Sequence, residues 1–215
     1  MTLKSLREAR RYVLWALLIE IVLLPFGLRR GRLLVPTVLG CLLFFRDPRR
    51  EPPGEPDVVY APADGVVVGV DTAPEKWLAG NEEALRISTF LSIHDVHVNR
   101  SPAAGEIVEA ETIDGGYAPA FLGRADSNHR KRLAIDDGKR RVVVVQIAGM
   151  VARRISSWAW VGDRVSAGER IALIHFGSRA EVLLPAGQAE PAVRVGQRVR
   201  AGLTPLARYS EASTR

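Results

Sequence analysis

Four polar residues on a largely apolar, β-like background have types that could do chemistry together: Asp64 in APADG, His94 and His97 in LSIHDVHVNRSP, and Ser178 in IHFGSRAEV. An acid, an imidazole and a hydroxyl form a nucleophilic relay when the imidazole takes the hydroxyl proton and the carboxylate orients the imidazole. Each residue also has a plain reading. Asp64 before Gly65 is a common β-turn pair, and His94 and Asp95 read as exposed strand-end residues. The alternation Val96-His97-Val98 would put the imidazole on a solvated face opposite two valines. Gly177 between two apolar runs reads as a bulge or a close backbone approach, and the serine beside it as part of a turn.

Other chemistries find less support. The histidines at 94, 97, 129 and 175 lack ligand spacing with a cysteine or a helical carboxylate pair, so no metal is expected. The segment Phe176-Gly177-Ser178-Arg179-Ala180 has alanine where a G-x-S-x-G elbow needs its second glycine. No glycine-rich phosphate loop occurs.

Strands must position these groups. VVYAPADGVVVGV, ALRISTFLSI, HVNRSPAAGEIVEAE, RRVVVVQIAGMVARRI and RIALIHFG are β-branched runs punctuated by Gly, Pro and Asp, with no sustained helical period. VGDRVSAGERI at 161–171 and VGQRVRAGLTP at 195–205 share V-G-x-R-V-x-A-G. Each copy has the strand–Gly turn–strand grammar of a lipoyl- or biotinyl-carrier-like β-sandwich. The repeat frames Gly177-Ser178 between two matched elements.

The formal charge of +6 is unevenly spread. Residues 1–50 hold ten Lys/Arg against three Asp/Glu, net +7, which leaves 20 basic and 21 acidic residues, net −1, for 51–215. The basic segment is also the most apolar, which fits an anionic membrane surface and not a nucleic-acid groove. Residues 12–28 and 33–45 are apolar runs split by RRGR. As helices they reach roughly 26 Å and 20 Å against a hydrocarbon core of about 30 Å. All three basic clusters prefer the cytoplasmic side. The expected form is therefore a shallow membrane hairpin broken at Pro25 and Pro36, with two full crossings or a buried core hairpin as alternatives. The Pro-rich REPPGEP at 50–56 marks a boundary between a membrane-associated unit, 1–50, and a β-rich unit, 51–215. The single cysteine, Cys41, excludes an internal disulfide.

Five ordered motifs, FFRDPRR at 44–50, APADGVV at 61–67, FLSIHDVHVNRSPAAGEI at 90–107, QIAGMVARRI at 146–155 and GERIALIHFGSRAEVLLP at 168–185, resemble the short-form phosphatidylserine decarboxylase family. The resemblance implies that Gly177-Ser178 is the self-cleavage site of a pyruvoyl-dependent proenzyme. Fragments 1–177 and 178–215 would then stay together as a heterodimer, with a pyruvoyl cofactor made from Ser178. That ketone would form a Schiff base with the amine of phosphatidylserine and stabilise the carbanion left by CO₂. His97 is the candidate proton donor, and Asp64 matches the family's acid. Longer members carry a second histidine three residues beyond the one matching His97; here that position is Arg100. The self-cleavage base is thus left open between His97 and another group, and Arg100, Arg153 and Arg154 become candidates for the lipid phosphate. Glu181 stands where the family commonly has Asp. The implied setting is the cytoplasmic face of the cell membrane, with phosphatidylserine as partner, nucleic acid excluded, and both a higher homo-oligomer and ether-linked serine lipids left open. A membrane-tethered, noncatalytic lipoyl-like adaptor would explain the hairpin and the repeat, but not HFGSR or DVHVNRSP.

Overall fold

The computed structural model describes residues 2–27, 31–78, 83–117, 127–150, 153–175 and 177–210. They fall into two compact units, Met1–Arg49 and Arg50–Arg215. The first unit is helical. α1 (Leu3–Leu23) starts on a capping box in which Thr2 and Ser5 exchange hydrogen bonds. It therefore takes in the basic cluster that the apolar pattern leaves outside. Pro25 ends it in a single 3₁₀ turn, Leu24–Phe26, closed by Gly27. α2 spans Leu34–Phe44. Pro36 does not break it, because it lies in the first turn, where a backbone N–H has no helical partner to lose. The Glu20 carboxylate on α1 accepts the N–H groups of Gly31, Leu33 (3.1 Å) and Leu34 (2.8 Å) at the start of α2. The Gly31 bond, then that from Leu34, holds its carboxyl below the usual range against the opposing effect of burial. No described helix is long and apolar enough to cross a membrane.

The second unit is mainly β, a curled sheet of eight strands with two three-stranded sheets. In chain order the strands are β1 (Val58–Tyr60), β2 (Gly65–Pro74), β3 (Glu83–Leu91), β4 (Val98–Arg100), β5 (Gly105–Ile113), β6 (Arg130–Asp136), β7 (Arg141–Ile147), β8 (Ile155–Ser157), β9 (Arg164–Val165), β10 (Arg170–Ile174), β11 (Ser178–Pro185), β12 (Ala189–Pro191), β13 (Arg198–Val199) and β14 (Pro205–Tyr209). The sequence pattern misses β6, because RKRLAID opens on three cationic residues. Lys131 is nonetheless buried, along with Leu133, Ala134 and Ile135.

The order β13-β2-β3-β11-β7-β6-β5-β9 reads the same from either end once β2 is matched to β5, β3 to β6, β11 to β7 and β13 to β9. The small sheets β1-β14-β12 and β4-β10-β8 match likewise. Backbone hydrogen bonds repeat in pairs: Tyr60 N–H to Pro102 and Arg100 N–H to Pro62, Gly202 N–H to Ala61 and Gly168 N–H to Ser101, Val67 N–H to Gln197 and Ile107 N–H to Asp163. The bulge after Val67 in β2 recurs after Ile107 in β5. The unit is thus a structural duplication with an approximate twofold relation. The two copies of V-G-x-R-V-x-A-G are its short visible part: Gly162 and Gly196 have φ of +91° and +88°. One half, β4–β10, is continuous. The other, β1–β3 with β11–β14, is split, and the continuous half is inserted between its β3 and β11. Val182 of β11 pairs with its own counterpart Val144 of β7 at the centre of the large sheet.

This arrangement decides where Gly177-Ser178 lies. In the continuous half, β6 and β7 are joined by a tight turn in which Asp137 accepts the Lys139 and Arg140 N–H groups. The equivalent ends of the split half, Leu91 and Ser178, are paired with each other but not joined. Gly177-Ser178 is the point at which the chain returns from the inserted half.

Candidate active site

Ser178 opens β11 opposite Leu91, is completely buried, and its Oγ has no hydrogen-bond partner among the described residues. A buried hydroxyl of that kind costs stability and needs a use. Gly177 before it has φ +65°, with nothing within 4 Å of where a Cβ would stand. The left-handed backbone, and not crowding, is therefore what calls for glycine here. Phe176 lies outside the described residues.

His97 is also completely buried, which corrects the solvated face suggested by the V-H-V alternation. Its Nδ1 lies 2.9 Å from the Asp95 carbonyl oxygen. A carbonyl only accepts, so Nδ1 carries the proton and Nε2 is the basic nitrogen of the neutral ring. The His97 carbonyl accepts Ile174 N–H (3.2 Å) and Asn99 Nδ2 (3.3 Å). Two links therefore bring His97 and Ser178 to one end of the β unit. Leu91 pairs with Ser178, and six residues later His97 is bonded to Ile174, four residues before Ser178.

The twofold relation supplies an independent check, since the counterparts of His97 and Ser178 are Asp57 and Arg140. Asp57 holds the same backbone bond, from Tyr209 N–H at 2.9 Å, and its carboxylate is in direct ion-pair contact with Arg140. The frame therefore brings the backbones of these two positions to the same end, although Asp57 stands at φ +60° and His97 does not.

Asp95, which the sequence suggested was exposed, is buried. Its Oδ2 accepts the Ser92 N–H (2.8 Å) and hydroxyl (2.7 Å), and its Oδ1 faces Arg198 at 3.2 Å. Burial alone would raise its pKa, but the Ser92 bonds and Arg198 together hold it below the usual carboxylate range. The side chain thus fixes the turn whose carbonyl sets the His97 tautomer. A hydroxyl and an acid three residues apart at a strand end were the available signal.

Asp64 makes a different connection from the one its motif suggests. Both oxygens engage Arg50, through Nη1 and, at 2.7 Å, Nη2, and Oδ1 also accepts the Ala201 N–H at 2.8 Å. The described structure gives Asp64 no bond to His97. It is nevertheless close to the serine pair, since its neighbour Ala63 packs against Leu91 and Ala180. Arg50, fourteen residues away, ends the FFRDPRR motif, which did not reveal this partner.

Of the arginines, Arg100 is 2% exposed and Nη1 donates to the Gly168 carbonyl at 2.9 Å. Arg153 and Arg154 are exposed. Arg153 lies over the Tyr117 ring, and Arg154 donates to Ser156 Oγ, which in turn meets His175 Nε2 at 3.1 Å. His94 is exposed. Glu181 lies on the opposite face of β11 from Ser178, bonded to Arg179 at 2.9 Å and to Ser88 at 3.2 Å. The cavity of about 880 Å³ on that opposite face, lined by Arg86, Arg130, Arg132 and Glu181, is separate from Ser178.

A family model for phosphatidylserine decarboxylase matches residues 39–207. The chain belongs to the phosphatidylserine decarboxylase family. It is similar to a phosphatidylserine decarboxylase proenzyme of Gluconobacter oxydans, with 47% identity over 173 residues that cover 78% of this chain and 76% of the relative. A proenzyme of that name from Mycobacterium leprae is 45% identical over 184 residues, covering 84% and 74%. One from Mycobacterium bovis is 47% identical over 173 residues, covering 78% and 74%. The matched span contains every phosphatidylserine decarboxylase motif residue described above, from Arg50 to Glu181.

Proposed function

We propose that this chain is a self-processing, pyruvoyl-dependent decarboxylase that converts phosphatidylserine to phosphatidylethanolamine and CO₂. The observation that carries it is a completely buried serine, its hydroxyl unpartnered among the described residues, directly after a left-handed glycine within a family-matched motif. His97 Nε2 takes the Ser178 hydroxyl proton, Oγ bonds to the Gly177 carbonyl carbon, and the Gly177–Ser178 amide breaks as the nitrogen gains a proton, leaving an ester. Loss of the Ser178 α-proton then expels Oγ with Gly177 as a carboxylate, and water converts the remaining enamine to a ketone with release of ammonia. A pyruvoyl group at position 178 supplies the electron sink that a decarboxylation needs.

The chain's own residues do the rest. Asp95 positions His97 through its carbonyl. Asp64 secures the serine end through Arg50 and the Ala201 turn, which makes it a positioning residue. His97, once protonated, returns a proton to the carbon that lost CO₂. Arg100 braces the Gly168 turn, and Arg153 and Arg154 stand exposed, without a buried seat for the lipid phosphate.

Fragments 1–177 and 178–215 are expected to remain associated as a heterodimer, because β11 lies between β3 and β7, β13 pairs with β2, and β14 lies between β1 and β12. The β unit is proposed to be a lipoyl-carrier-like sandwich, on the strength of its matched turns. α1 and α2 are proposed to lie as a shallow hairpin on the cytoplasmic face of the cell membrane. Their exposed Leu14, Trp15, Leu18, Ile21, Leu39 and Leu43 support this, as does the charge of the segment.

A denaturing gel of purified protein should show two fragments, the smaller blocked to Edman degradation, and Ser178→Ala should stay whole. A wild-type chain that stays whole while decarboxylating would overturn the mechanism. A whole chain without CO₂ release would favour the adaptor. High salt should not extract the full chain from membranes, whereas removal of residues 1–45 should release it.

A further inference from the structure

The Ser178 end differs from its counterpart in one further respect. One rung inward from Ser178, the large sheet runs Thr89 (β3), Ala180 (β11), Gln146 (β7) and Lys131 (β6), each paired with the next. Strand alternation puts all four side chains on the Ser178 face. The matching positions at the other end are Ile135, Val142, Leu184 and Leu85, all apolar. The same frame thus accepts Ile and Leu where this end has Thr, Gln and Lys. Thr89 and Gln146 are completely buried, and Thr89 Oγ1 and both polar atoms of the Gln146 amide lack hydrogen-bond partners among the described residues. Lys131 is 6% exposed; its Nζ donates to Ser157 Oγ at 2.6 Å and lies 4.4 Å from the centre of the exposed Trp160 ring. Burial pushes the pKa of this ammonium down, and no described carboxylate acts to hold it up. A buried cation without an anion, beside a buried amide without a partner, costs stability that Leu at both positions would not. Such a local violation of good packing points to a ligand.

We propose that Lys131, Gln146 and Thr89 form the headgroup track of the substrate. Lys131 takes the phosphate of a phosphoserine-type headgroup, and Gln146 and Thr89 receive the polar atoms of its amino-acid part beside residue 178. Lys131 lies on the second strand from β11, about 10 Å away at ordinary strand spacing, a span that a lysine side chain and such a headgroup cover together. The Trp160 indole, apolar on its faces and exposed, stands at the outer end, where the lipid would leave the protein. The identity of the headgroup rests on the proposed decarboxylase function; the anion seat rests on the rung.

The test uses the full chain carrying Ser178→Ala, which keeps the rung but cannot cleave. Calorimetric titration compares glycerophosphoserine with inorganic phosphate. Glycerophosphoserine should bind, and adding Lys131→Leu should weaken it at least about tenfold, the usual worth of a charge-assisted hydrogen bond. Lys131→Arg should stay within about threefold, since the positive charge is retained. Gln146→Leu should weaken glycerophosphoserine but leave inorganic phosphate unaffected. Both leucine variants should melt no lower than the parent, because leucine fills the equivalent positions at the other end. In the cleaved wild-type background, Lys131→Leu should raise KM far more than it lowers kcat. Equal affinity in Lys131→Leu, a lower melting point for it, or a parent that binds phosphate but not glycerophosphoserine would each overturn the proposal. If the decarboxylase reading itself is wrong, the wild type yields neither fragments nor CO₂; if only the track is wrong, both appear and the KM of Lys131→Leu is unchanged.

Discussion

The two ends of the large sheet share one backbone plan and carry different side chains. At one end His97 and Ser178 occupy the positions that Asp57 and Arg140 hold at the other, and Asp64 occupies that of Ala104. Backbone support is the same at both: Ile174 N–H to His97 at 3.2 Å matches Tyr209 N–H to Asp57 at 2.9 Å, and His175 N–H to Arg154 at 3.0 Å matches Ser210 N–H to Gln188 at 2.9 Å. One end is closed by a turn and an ion pair. The other is left open in chain connectivity, with a buried hydroxyl that has no partner among the described residues. The two ends therefore differ in side chains and, at Asp57 with φ +60°, in local backbone, and on the proposed function the plain end serves as an internal control for the active one.

The sharpest test replaces the two counterpart residues. Ser178→Ala should abolish cleavage outright, while Arg140→Ala should still mature to two fragments on a denaturing gel. Next in size is the imidazole. His97→Ala should slow fragment appearance by about 10² to 10⁴, the usual worth of a general base, and should impair CO₂ release from labelled phosphatidylserine. Asp57→Ala should leave both within a few fold, and its stability cost should stay near ~1 kcal/mol because the Asp57 carboxylate is 55% exposed. Comparable loss in the His97 and Asp57 variants would mean that both act through the frame, and His97 would cease to be the base.

Much of this was legible from sequence, for physical reasons that differ by element. β2, β7 and β10 are dense in β-branched residues and read as strands. β6 did not, because its cationic start meets partners distant in sequence: Lys131 reaches Ser157 and Trp160, and Arg132 pairs with Glu75 and Glu111. Only V-G-x-R-V-x-A-G betrayed the duplication, since those turns need glycine at fixed places whereas strand residues need only be apolar. The family motifs singled out Ser178, His97 and Asp64. They did not say what Asp64 touches, because Arg50 and the Ala201 N–H approach it from segments distant in sequence, nor that Asp95 is buried, because a turn's direction depends on what it packs against.

Asp64→Ala removes a carboxylate whose counterpart at the other end, Ala104, carries none. With Arg50 and Asp64 side chains only 8% and 13% exposed, the guanidinium would be left nearly buried and unpaired, at a cost of about 3 kcal/mol. Denaturant unfolding should report that loss, and maturation should slow more than decarboxylation by whatever fraction is already cleaved. Asp64→Ala and Arg50→Met together should cost less than the sum of the single changes. Asp95 contributes a pH limb. Its folded pKa lies below the unfolded value, so its stabilisation is complete above about pH 4 and disappears as pH falls through the folded value. Asp95→Asn should flatten the acid limb of a stability–pH curve; an unchanged limb would remove Asp95 as its source.

The smallest expected effect tests the frame without the chemistry. Gly162 and Gly196 sit at matched turns with φ of +91° and +88°, and neither has an atom within 4 Å of where a Cβ would stand. Alanine at either place meets no clash, so what remains is the cost of holding an L-residue in the left-handed region, about 1 kcal/mol. Because the strain is local and the two turns have the same backbone, Gly162→Ala and Gly196→Ala should lower stability by equal amounts in denaturant unfolding and add when combined, as independent sites do. Neither should alter the rate of fragment formation. A clear inequality between the two would show that the halves differ in rigidity as well as in side chains, and the plain end would then be a poor control for the active one.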